Sequence, residues 1–182
     1  MKKLKLLLAG LLLSATTVTS AEELTFDYQY DASVPRDMSM MSDGPLSLGS
    51  FSDQRETFSG RQLRLDDGSL TLDVTVSELM HTAFSQGFRA AGAEMAADDA
   101  GNAVFSGDIL EFAIESTDAG YQVLLRVDAS LAIGGRTAWN SVLFSRVETE
   151  GRELDTALSD ALDRLLRELW WDDYFFMEFG IF

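Results

Sequence analysis

The chain has 182 residues, no cysteine, and 30 acidic against 14 basic residues, for a formal charge of −16. Without cysteine there is no disulfide, and no lipid can be attached at a lipobox cysteine. A field this negative repels nucleic acid and anionic membrane surfaces, so no nucleic-acid partner is expected.

Taken in chain order, the first feature is an export signal. Lys2, Lys3 and Lys5 precede an apolar run over residues 6–13, and a small, polar stretch follows over residues 14–21. This three-part layout is that of a cleavable secretory signal, with cleavage expected after Ala21. The run is too short for a membrane-spanning helix, which needs about 20 apolar residues. Removing residues 1–21 takes three lysines and no acid, so the mature chain is three units more negative. Residues 22–182 are enough for one domain with one core. The expected destination is the periplasm.

In residues 25–31, Phe26, Tyr28 and Tyr30 alternate with polar residues, and this period of two predicts a strand with one buried face. A loop with Pro35, Met38, Met40 and Met41 follows, then a second strand at 46–51. Residues 56–72 are polar and mixed, with a turn expected at Asp66-Asp67-Gly68. Val76, Leu79, Met80, Ala83, Phe84, Phe88 and Ala91 recur at helical spacing. Asp73, Thr75 and Ser77 are candidate N-caps, and Gly92 suits the C-terminal end. Gly87 inside this helix either weakens it or permits close packing.

A three-stranded meander is predicted over 103–116, 121–133 and 138–148. Short glycine-bearing links join its strands, and a face switch is expected near Gly107. The middle strand alternates most cleanly, from Tyr121 to Ile133, and the third is centred on Trp139, Val142 and Phe144. A last helix over 153–170 carries a stripe of Leu154, Leu158, Ala161, Leu162, Leu165 and Leu169. This order predicts an α+β two-layer sandwich, a mostly antiparallel sheet with two amphipathic helices on one face. The tail over 171–182 completes the single domain.

No set of residues marks a reaction. His81 is the one histidine. It lies in the first helix, without a Gly-x-Ser-x-Gly elbow, and a histidine alone forms neither a triad nor a zinc site. The acidic pairs Asp66/Asp67, Asp98/Asp99 and Asp172/Asp173 lack the register of a calcium loop and fit turn chemistry better. Met38, Met40 and Met41 are few for a Cu(I) site and fit loop packing. No cofactor and no metal are expected, and the protein is expected not to be an enzyme.

The end of the chain is its most unusual feature. Trp170, Trp171, Tyr174, Phe175, Phe176, Phe179 and Phe182 crowd into thirteen residues. Such a tail either folds back as an edge strand, with Phe175, Met177, Phe179 and Ile181 on one side, or forms an exposed patch. As a patch, these aromatics are the candidate binding residues for another envelope protein or for a membrane. A terminal Phe also fits the last strand of an outer-membrane β-barrel, although two amphipathic helices do not.

Residues 46–55, LSLGSFSDQR, resemble the first strand and Asp-x-Arg turn of the YajG-like family of bacterial envelope proteins and, more loosely, of the transport-auxiliary lipoproteins. The helix ending near Gly87-Phe88, the meander and the final helix extend the resemblance over about residues 45–170. It implies a non-enzymatic accessory protein of the cell envelope, with Asp53 and Arg55 fixing the turn. The chain departs from that family in lacking the lipobox cysteine.

Overall fold

The computed structural model describes residues 22–40, 44–66, 68–97, 101–151 and 153–180. The expected signal peptide, Met41, Asp67, Asp98/Asp99, Ile181 and Phe182 lie outside the described residues.

Seven strands form one open sheet: β1 Glu22–Leu24, β2 Leu46–Asp53, β3 Gln62–Leu65, β4 Gly68–Leu72, β5 Ala103–Ser116, β6 Gly120–Ile133 and β7 Arg136–Glu150. Helix α1, Val76–Ala90, lies between β4 and β5; α2, Leu154–Trp170, and α3, Asp173–Glu178, follow β7. The sheet runs β1-β4-β3-β5-β6-β7, and β2 pairs in parallel with the first half of β5. Among the described residues β1 and β7 end the sheet, which does not close into a barrel. The fold is the α+β class that the periodicity predicts.

The long antiparallel ladder β5–β6–β7 is its backbone. Val123, Leu125, Val127, Ala129 and Leu131 of β6 all point into the core. β5 changes face at a bulge between Ile109 and Glu111, so Phe105 and Ile109 share the core side with Phe112 and Ile114. Gly107 is needed for another reason: a Cβ there would lie 2.9 Å from Val127 Cγ1 on the paired strand.

α1 starts with a capping box. Thr75 accepts from Glu78 N at 3.2 Å while the Glu78 carboxylate accepts from Thr75 N at 2.9 Å. Gly87 resolves in favour of close packing, because a Cβ there would meet Leu166 at 3.0 Å and Trp170 at 3.2 Å on α2. The two helices therefore approach at a residue without a side chain. The core beneath them holds a chain of rings from Phe51 through Phe84 and Phe105 to Trp139, with neighbouring centroids 5.0–6.2 Å apart.

Three expectations are corrected. Residues 25–31 do alternate, with Phe26 and Tyr28 buried, but they form an extended strap rather than a strand. The strap bonds to side chains: Phe26 N donates to Asp73, Tyr30 N donates to Gln86 Oε1 at 2.7 Å, and Gln86 Nε2 donates to Tyr28 O at 2.9 Å. Period two reports extended backbone with one buried face; it does not report a strand partner. Residues 62–72, expected to be polar and mixed, form the β3–β4 hairpin: Leu63 and Leu65 alternate with Gln62 and Arg64, and Leu70 and Leu72 with Ser69 and Thr71, around the turn. In β7, Trp139 and Leu143 face the core while Val142 and Phe144 face outward, each 48% exposed.

Candidate functional site

The tail is neither an edge strand nor a bare patch. α2 ends at Trp170 with Trp171 as its C-cap, and the next residue, Asp172, caps α3, its Oδ1 accepting from Phe175 N at 3.1 Å. The other oxygen of Asp172 accepts from Trp139 Nε1 at 3.0 Å, which ties this corner to β7. Helical spacing then sorts the aromatics. Phe175, Phe176 and Phe179 turn inward and are fully buried. Phe175 packs edge-on against Trp139, Phe176 and Phe179 at 5.1–5.4 Å between centroids. Trp170 is also buried, with Nε1 donating to Tyr30 Oη at 3.0 Å. The Arg36 guanidinium sits 5.1 Å over the Phe176 ring and pairs with Asp173, clasping α3 from the strap side.

Trp171, Tyr174 and Met177 are left on the outside, 74%, 75% and 51% exposed. Tyr174 and Met177 are three residues apart on α3 and so share its outer side, while Trp171 stands just before the Asp172 cap; these three exposed side chains make up the apolar ledge of the α2–α3 corner. Of the candidate binding residues, Trp170, Phe175, Phe176 and Phe179 belong to the core, Trp171 and Tyr174 to the ledge, and Phe182 lies outside the described residues. Met177 is the member that the count of aromatics passes over. The signal for all of this is the pair Asp172-Asp173, an N-cap and a first-turn acid that announce a helix.

Asp53 and Arg55 make a buried clamp. The Asp53 carboxylate accepts from Arg55 Nε and Nη2, both at 2.7 Å, and from Gly60 N at 2.7 Å. Arg55 Nη1 donates to Gln62 O at 2.9 Å, and Arg55 is only 8% exposed. Gly60 O in turn accepts from Val76 N at the start of α1. The clamp thus joins the end of β2, the entry to β3 and the first turn of α1. The bonds from Arg55 hold the Asp53 carboxyl below its ordinary range.

The strap and α2 enclose an open groove of about 710 Å³, lined by Asp27, Asp31, Asp155, Asp160 and Asp163 among other polar residues. Tyr28 Oη donates to Asp163 Oδ1 at 2.7 Å. Burial raises the Asp163 carboxyl above its ordinary range, the Tyr28 bond opposes this, and Asp160 and Asp31 add to the rise. Burial, then the bond to Asp163, pushes the Tyr28 phenol up as well.

The remaining sequence candidates do not converge. His81 is an exposed residue of α1 whose ring meets the edge of Phe51 at 6.4 Å between centroids. Met38 is buried and Met40 is 82% exposed, so the two methionines do not face one centre. Among the described residues no group of three His, Cys, Asp or Glu is placed to hold a metal, and no helix is long and apolar enough to cross a membrane.

The chain shares its fold with protein XCC0632 from Xanthomonas campestris, of family DUF330. The TM-score is 0.64 at 12% identity, over 82% of this chain and 93% of that one. The hypothetical protein CT253 from Chlamydia trachomatis aligns with a TM-score of 0.50 and 9% identity, over 70% of this chain and 94% of that one. An uncharacterized protein aligns equally well, at 0.50 and 9%, over 87% and 97%. No protein-family model and no curated protein matches the chain. At these identities the likeness is one of fold, and it does not single out a YajG-like family.

Proposed function

We infer that the protein is a non-catalytic accessory module of the bacterial cell envelope, working in the periplasm by docking on another protein. The observation that carries this reading is the Trp171–Tyr174–Met177 ledge. Large apolar side chains are exposed together there, on a corner that Asp172, Phe175, Phe176, Phe179 and Arg36 hold in place. Exposed aromatics on a rigid support are the usual anchors of protein interfaces, and order set in advance lowers the cost of binding. The signal-like N-terminus supports the location. The scatter of His81, the methionines and the acids supports a binding role over a catalytic one. The open, acid-lined groove at the strap favours a protein partner over an apolar small molecule.

The test is a Trp171→Ala/Tyr174→Ala variant, exported in cells and cross-linked in the envelope beside the unmodified protein. Both side chains are solvent-facing, so the melting temperature should move by no more than about 2 °C. A discrete cross-linked partner species should be lost. A partner species retained at full strength would overturn the role of the ledge.

A further inference from the structure

β7 is a sheet edge of unusual length. Its 15 residues bond to β6 on one side, and among the described strands nothing pairs with the other. Natural sheets protect such edges with charge, proline or brevity. β7 has none of these over residues 137–145, TAWNSVLFS, where no residue is charged and none is proline. An open groove of about 440 Å³ runs along this free edge. It is lined by Ser141, Val142, Leu143, Phe144 and Arg146 on the strand, by Arg164 and Glu168 on α2, and by Asp172 at the cap of α3. Arg164 and Glu168 pair with each other at 2.9 Å.

We propose that the free edge of β7 is an interface with a second copy of this chain, the two β7 strands pairing antiparallel about a two-fold axis at Leu143. The sequence of the edge is complementary to itself in that register. Ser141 comes opposite the second copy's Ser145, and Val142 opposite its Phe144, so the four outward apolar side chains gather in one patch. Directly opposed side chains in an antiparallel pair approach to roughly 5 Å, close enough for Val and Phe to pack. Asn140 faces Arg146, and no two like charges are opposed. The ladder between β6 and β7 is regular from Trp139 onward, with its irregularity at Ala138. The symmetric stretch 139–147 is therefore regular strand throughout. Beyond it, Arg136 of each copy comes beside the Glu148–Glu150 end of the other, which adds opposite charges at both ends of the joint. The same axis sets the two α2 helices antiparallel, where Arg164 and Glu168 can exchange partners between copies. A strand of another protein would gain the same backbone bonds but not this matched order of apolar and charged residues, which is why a second copy is the occupant favoured here.

Sedimentation of the full exported chain tests this with two paired variants. The unmodified protein should sediment at twice the monomer mass. Val142→Glu/Phe144→Glu puts glutamates opposite each other on both sides of the axis and should give a folded monomer, with an unchanged far-UV circular dichroism spectrum and a melting temperature that no longer depends on protein concentration. Val142→Lys/Phe144→Glu puts lysine opposite glutamate in this register alone and should restore the doubled mass. An unmodified protein that sediments as a monomer would overturn the proposal, because the edge would then be free for a strand of another protein. A double-glutamate variant that stays dimeric, or a lysine–glutamate variant that stays monomeric, would overturn it equally.

Discussion

Among the described residues, two places on the surface expose more than one large apolar side chain, and they are built differently. At the α2–α3 corner, Trp171, Tyr174 and Met177 stand on or just before a short helix whose other side is fully buried. The corner is helical, with Trp171 N bonded back to α2 and Met177 O accepting from Gly180 N, so its offer is chiefly of side chains. On β7, Val142 and Phe144 are less exposed, but they flank an edge whose backbone bonds are used on one side only. The first surface can select a partner by shape and apolar contact, whereas the second can extend the sheet. The lesson is that exposed apolar area says little until the backbone beneath it is considered.

The sharpest way to break the first half of this comparison is Phe175→Ala. Phe175 is fully buried and touches Trp139, Phe105, Phe88, Phe176 and Phe179. Its loss should cost about 3–5 kcal/mol and lower the melting temperature by roughly 10 °C. Calorimetry showing a shift under about 3 °C would mean that α3 is not held by this cluster. The clamp gives a smaller effect and a pH signature. Arg55→Ala should cost about 2 kcal/mol, because Asp53 and Gln62 O lose a buried charged partner. The folded Asp53 carboxyl lies below its unfolded value near 3.8, so its contribution is present above that value and is lost as the pH falls beneath it. Denaturant titrations should therefore show the gap between wild type and Arg55→Ala narrowing below about pH 3.8. A gap independent of pH would remove the ionised carboxylate from the explanation. The ledge substitutions should move stability least of all, within about 0.5 kcal/mol.

Much of this architecture was legible in the sequence, and the failures have physical causes. The β5–β6–β7 meander and the two long helices bury one continuous face each, so their periodicity is strong. The strap at 25–31 misled because burial against helices gives the same alternation as burial in a sheet. Its partners, Asp73 and Gln86, are distant polar residues that periodicity does not weigh. In the tail, a count of aromatics overrode the capping signal at Asp172-Asp173, and the count mixed core residues with ledge residues. Val142 and Phe144 were grouped with Trp139 although residue parity already set them on opposite faces. The unpaired edge of β7 was beyond reach, since only the strand order shows which strands are last.

The central claim is that the two exposed apolar sites serve different contacts, and one paired assay tests it directly. The Trp171→Ala/Tyr174→Ala and Val142→Glu/Phe144→Glu variants are each measured for mass by sedimentation and for partner cross-linking in the envelope. The ledge variant should keep the doubled mass and lose the partner, while the edge variant should become monomeric and keep the partner. A variant that loses both, or an edge variant that loses only the partner, would contradict the account.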